Sequence, residues 1–142
     1  MPTTAEKRSA FRELHRSGTF VIPNPWDLGS ARYLQSLGFK ALASTSAGFA
    51  YSRARPDNGV PREAVLAHLE ALASAAELPL NADFESGFAS NPEGVAESVR
   101  LCVEAGVSGL SIEDSTGDPG HPLFDIEVAV ARLSAARSAI DK

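Results

Sequence analysis

After an opening helical stretch, the chain alternates four times between a short apolar run and a segment whose apolar residues recur at helical spacing. Thr3 and Glu6 stand at the spacing of a capping box, and Phe11 and Leu14 carry the first helix on until Gly18 stops it. The apolar runs are Phe20-Val21-Ile22-Pro23, Lys40-Ala41-Leu42-Ala43-Ser44, Leu80-Asn81-Ala82-Asp83 led by Pro79, and Val107-Ser108-Gly109-Leu110-Ser111-Ile112. A helix follows each: the first carries Leu28, Ala31, Leu34 and Leu37, the second starts at Pro61 and carries Val65, Leu66, Leu69 and Leu72. The third starts at Asn91-Pro92-Glu93 with Val95, Val99, Cys102 and Val103, and the last runs from Asp125 with Ile126, Val130 and Leu133. Parallel strands need crossover connections, so this alternation predicts an α/β fold, a parallel sheet covered by helices.

The 142 residues are 44% hydrophobic and 22% charged, which predicts one globular domain spanning 1–142. A net charge of -5 offers no basic stripe for a phosphate backbone, so nucleic acid is excluded as an expected partner. The single cysteine, Cys102, leaves no internal disulfide, and the start Met1-Pro2-Thr3-Thr4-Ala5 lacks the apolar core of a signal peptide. No apolar run approaches the roughly 18 residues that span a bilayer. The expectation is a cytoplasmic protein with no membrane partner.

Asp83 and Glu85 stand two residues apart at the end of the third run, before Ser86 and Gly87 break it. Alternate strand residues share a face, so both carboxylates can point at one spot. They repel there unless a proton, a cationic side chain or a divalent metal lies between them, and no basic residue is near in the stretch. Mg2+, an oxygen-seeking ion that keeps several waters, meets that need; a loop whose acids face water is the plainer reading. Three more polar clusters fall where a strand hands over to its helix: Asn24-Pro25-Trp26-Asp27, Thr45-Ser46-Ala47-Gly48 and Glu113-Asp114. In parallel α/β folds the carboxyl ends of the strands gather ligands. Clusters that merely decorate a surface would fall at both ends.

Taken in order, Asn24-Pro25-Trp26-Asp27, Thr45-Ser46-Ala47-Gly48, Asp83-Phe84-Glu85-Ser86-Gly87 and Ile112-Glu113-Asp114 resemble the isocitrate lyase and phosphoenolpyruvate mutase superfamily. The resemblance runs from about Phe20 to the end. It implies TIM-type barrel architecture, a (β/α)8 fold of which this chain would hold about four of eight units, the N-terminal half. It also implies Mg2+, a small anionic 2-oxo or 2-hydroxy acid as substrate, and lyase-type making or breaking of a C–C or P–C bond next to the carbonyl. By position, Asp83 and Glu85 match the metal acids, and Glu113 a further acid reaching the metal through water. Asp57 in Arg55-Pro56-Asp57-Asn58-Gly59 matches an acid near the metal waters. Ser46, Ala47 and Gly48 match the loop that holds the substrate, and Trp26 a wall of the pocket.

Two departures stand beside the resemblance. Lyases of this family carry a lysine and often a cysteine in the loop after the fourth strand; here that loop, Ser115 to Asp125, has neither, and His121 is left as its candidate catalytic acid or base. A complete barrel takes about 250 residues. A half-barrel leaves apolar edges in water and is expected to be marginal or to pair with another copy as a homo-oligomer, with a catalytically inactive, self-associating fragment as the alternative to an enzyme. Of the remaining residues, Cys102 is expected in the core, Asp27 as a helix cap, His15 and His68 toward solvent, and Arg53 and Arg55 beside the site.

Overall fold

The computed structural model describes residues 1–141. Helix α1 (Thr4–Leu14) is followed by α2 (Leu28–Ser36), strand β1 (Leu42–Ala43), α3 (Ser46–Ser52), α4 (Arg62–Ala75), β2 (Leu80–Asp83), α5 (Pro92–Glu104), β3 (Gly109–Ser111), the hairpin β4 (Ser115–Asp118) and β5 (His121–Leu123), and α6 (Ile126–Ile140). Strands β1, β2 and β3 form a parallel sheet in that order, with Leu42 opposite Leu80 and Ala82 opposite Leu110. The expected α/β architecture is therefore present. Leu42, Leu80, Ala82 and Phe84 are sealed beneath Val65, Leu69 and Leu72 of α4, while Val95 and Val99 of α5 meet Ala136 of α6.

Several elements differ from the sequence reading. Phe20–Pro23 forms no regular strand, and its recorded tie to the sheet is the Ala43 N–H donating to the Pro23 carbonyl at 3.0 Å. Leu42 and Ser44 turn their N–H groups the other way, to Pro79 and Asn81, so the segment lies across β1 from β2. Pro23 and Pro25 have no N–H to give, which prevents a ladder there. The expected loop Thr45 to Gly48 is the start of helix α3, capped by the Thr45 hydroxyl accepting from the Gly48 N–H at 3.1 Å. The polar turn after β3 folds into the β4–β5 hairpin, whose corner is an Asx turn: the Gly120 N–H donates to Asp118 Oδ1 at 2.8 Å. Helix α1 ends at Leu14, short of Gly18.

The last helix buries a different face from the expected one. Ile126, Val130 and Leu133 are 76%, 55% and 52% exposed, and Ala129, Arg132 and Ala136 are the buried set. Small alanines let α6 approach α5 closely, and that contact outweighs the larger side chains.

At the other end of the sheet, α1 closes the bottom of the fold. Lys7 is buried and donates to the carbonyls of Ala73 and Ala76 at 2.7 and 2.5 Å, at the end of α4. Arg8 does the same for α5, donating to Val103 and Val107 at 2.7 and 3.0 Å. Cationic side chains at helix C-termini satisfy orphan carbonyls and favour the helix dipole. Beneath them, Phe11 packs so tightly on Gly109 that a Cβ there would lie 2.5 Å from the ring.

Candidate functional site

Asp83 ends β2, and its carboxylate is fixed by the first turn of α3: Oδ2 accepts from both the N–H and the hydroxyl of Ser46 at 2.8 Å. Its own N–H donates to the buried Ser44 hydroxyl at 2.8 Å. An anion at a helix N-terminus is favourable, and both of these bonds fall on Oδ2. Glu85 reaches the same place by a turn and not by strand alternation. Its φ is +48, in the left-handed region, and the Gly87 N–H closes the turn on the Phe84 carbonyl at 2.9 Å. Such a conformation costs a non-glycine residue of order 1 kcal/mol or more and is held here by its surroundings. Phe84 is fully buried behind it, and the Glu113 N–H donates to the Glu85 carbonyl at 2.8 Å, joining the end of β3 to the same turn.

Glu85 is only 7% exposed. Burial, and then the negative charges of Asp57, Asp83 and Glu113, push its carboxyl up to about 7. The Glu113 carboxyl is raised as well, by burial and then by Asp83, Asp57 and Asp114. Asp57 lies in an exposed loop, with Oδ1 accepting from the Asn58 N–H at 3.0 Å. Four acids separated in sequence therefore act on one another at the carboxyl end of the sheet. Among the described residues, none of these four forms an ion pair with a lysine, arginine or histidine.

The donor set suits a hard cation, being carboxylate oxygen alone. No three His, Cys, Asp or Glu residues among the described residues are arranged to cage a metal. The expected metal set Asp83, Glu85 and Glu113 is therefore not assembled here as three direct ligands.

Trp26 packs on the first turn of α3: a Cβ on Gly48 would lie 3.3 Å from Trp26 Cβ and 2.6 Å from Thr45 Cγ2. Of the three backbone donors expected at Ser46, Ala47 and Gly48, two are used inside the protein, on Asp83 and Thr45. The Ala47 N–H, in the first turn of α3, has no internal partner among the described residues. His121 is set apart on the hairpin, its side chain 90% exposed and 3.9 Å from Asp118.

Asp27 caps α2 as expected, and Cys102 is buried, its thiol pushed up to about 12. His68 does not face solvent. It stacks on Phe49 with ring centroids 3.8 Å apart, its Nε2 is buried, and burial followed by the charge of Arg53 pushes it down to about 4.

Arg132 escaped the sequence reading altogether. It is 1% exposed, donates to the carbonyls of Ser86, Ala89 and Ser90, and places its guanidinium 3.9 Å from the Phe124 ring centroid. The loop it grips is the one that follows Glu85. Helix α6 thereby holds in place the loop that follows Glu85.

Residues 11–142 match the family model described as phosphoenolpyruvate phosphomutase. The chain belongs to the phosphoenolpyruvate phosphomutase family. It also falls within the wider isocitrate lyase/PEP mutase superfamily. Within this family it is 32% identical over 136 residues to 2-methylisocitrate lyase of Escherichia coli K12, covering 89% of this chain and 46% of that protein. A lyase/mutase-like protein of Burkholderia cenocepacia J2315 superposes with a TM-score of 0.94 at 49% identity, over 96% of this chain and 50% of the other. A phosphonopyruvate hydrolase solved with oxalate and Mg2+ superposes with a TM-score of 0.88 at 28% identity, over 94% of this chain and 48% of the other. The chain spans about half the length of the curated relatives it matches. The family fold is the TIM-type barrel, and the strand–helix units seen here correspond to about half of it.

Proposed function

We propose that residues 1–142 are the N-terminal half of a (β/α)8 barrel and carry the metal-binding rim of a Mg2+-dependent enzyme. The enzyme would act on a small 2-oxo or 2-hydroxy acid, making or breaking a C–C or P–C bond beside the carbonyl through an enolate. The observation that carries this reading is the mutual influence of Asp57, Asp83, Glu85 and Glu113 with no ion-pair partner among the described residues. Asp83 and Glu85 would hold the ion, and Glu113 and Asp57 would stand by its waters. When bound, Mg2+ supplies Lewis-acid polarisation of the substrate oxygen.

The chain's own residues prepare the rest. Ser46 and Ser44 hold Asp83 in one orientation, and Arg132 holds the turn that presents Glu85. The free Ala47 N–H is a preformed donor for a substrate oxygen, and Trp26 against Gly48 supplies an apolar wall. Relatives in this family include 2-methylisocitrate lyase and phosphonopyruvate hydrolase, which support a small-acid substrate.

A second reading, an inactive half-barrel, is favoured by the hairpin after β3: it offers His121 on an exposed loop and no lysine or cysteine as acid or base. Turnover separates the two. A panel of 2-oxo and 2-hydroxy acids is incubated with the chain and Mg2+, and pyruvate or glyoxylate release is followed. Release abolished by EDTA and by Asp83→Asn is expected of the enzyme. Silence across the panel leaves the inactive fragment.

A further inference from the structure

We infer that His68 is a positioning residue for the acid rim: its ring, stacked on Phe49, seats helix α3 so that Ser46 holds Asp83 in place. His68 lies on α4, away from the acids, and nothing in the proposed chemistry uses it. Its ring lies flat on that of Phe49, with centroids 3.8 Å apart and planes within 7° of parallel. Phe49 and Ala50 are the buried residues of α3, so the stack falls on one of the two side chains that anchor this helix.

Three positions separate Phe49 from Ser46, close to one turn of helix, so a shift of one carries the other with it. Ser46 gives Asp83 both its N–H and its hydroxyl at 2.8 Å. A first-turn N–H has no partner inside its own helix, and here the carboxylate takes that place. Contact therefore runs from His68 through Phe49 and Ser46 to Asp83.

The ring does this as a neutral, flat surface. His68 Nε2 is buried with no hydrogen-bond partner among the described residues, and an imidazolium would need an acceptor there. Two charged groups face it: Arg53 at the end of α3, whose guanidinium carbon lies 5.6 Å from the Phe49 ring centroid, and Asp27 at the cap of α2. Burial comes first in keeping the proton off, Arg53 adds to it, and Asp27 opposes both. A phenylalanine can therefore do the same work.

Amide exchange of the chain, followed by NMR at pH 7, reads the Ser46 bond without any metal. His68→Ala is expected to speed Ser46 exchange about tenfold or more while β2 keeps its protection, and His68→Phe to leave it as in the wild type. If the alanine variant loosens β2 as well, His68→Leu decides, since it fills the space without a flat face and should speed Ser46 about threefold. An unprotected Ser46 in the wild type, an unchanged Ser46 in the alanine or leucine variant, or a phenylalanine variant as fast as alanine would each overturn the inference. Mg2+ titration at pH 8 reads the consequence for the rim, which alone rests on Asp83 being a ligand. His68→Ala should bind more weakly than the wild type and His68→Phe equally; equal binding by all three would overturn the role at the rim. A wild type that takes up no Mg2+ would remove the metal reading and leave the exchange result standing.

Discussion

Glu85 carries a burial cost that has a measurable signature. Its folded value of about 7 lies above the ordinary 4.5, so between those pH values the folded chain holds a proton that the unfolded chain releases. Stability must therefore fall as pH rises from about 4.5 to 7 and level off above. Glu113 is raised in the same direction and adds to the slope. Glu85→Gln should flatten this decline and raise the melting temperature at pH 8; an unchanged profile would contradict the clustering of acids. The clamp behind the loop gives a second test. Arg132→Ala removes charged hydrogen bonds from a buried guanidinium to three loop carbonyls and is expected to cost about 3 kcal/mol in urea unfolding, against under 1 kcal/mol if the side chain were merely a surface charge. Asp83, Glu85 and Glu113 were legible in the sequence because two acids at a strand end announce themselves locally. Arg132 was not, since its partners are carbonyls 42 and 46 residues away and an arginine on an amphipathic helix reads as solvent-facing.

Helices α1 and α3 show how elements, more than single groups, set the site's geometry. Lys7 ties α1 to the last turn of α4, and Lys7→Met should cost about 2 kcal/mol and speed amide exchange in α1 more than in β2. Equal exchange in both would show that the tether is dispensable. In α3, Gly48 allows Trp26 to lie against the helix, and Gly48→Ala would need Thr45 or Trp26 to move. The chain has one tryptophan, so its emission reports that displacement directly; a spectrum that superposes on the wild type would remove Trp26 from the wall. The strand–helix alternation was readable because apolar periodicity changes from run to helix four times. The first strand was over-read, since Phe20–Pro23 has strand-like side chains but prolines that withhold donors. The seven-residue helix α3 and the β4–β5 hairpin were under-read because their signal is a cap or a turn with little apolar periodicity.

At the scale of the whole molecule, the fold brings four acids to one rim and leaves the larger apolar side chains of α6 exposed. The α6 stripe read from the sequence, Ile126, Val130 and Leu133, is a real apolar face, yet it points away from this chain's own core. Periodicity marks a face as apolar without saying which partner covers it. The rim makes the stronger functional claim, and calorimetric titration with Mg2+ at pH 8 tests it most directly. The account predicts binding to the wild type, abolished in Asp83→Asn and weakened at least tenfold at pH 5, where Glu85 holds its proton. Equal heats from wild type and Asp83→Asn would contradict it.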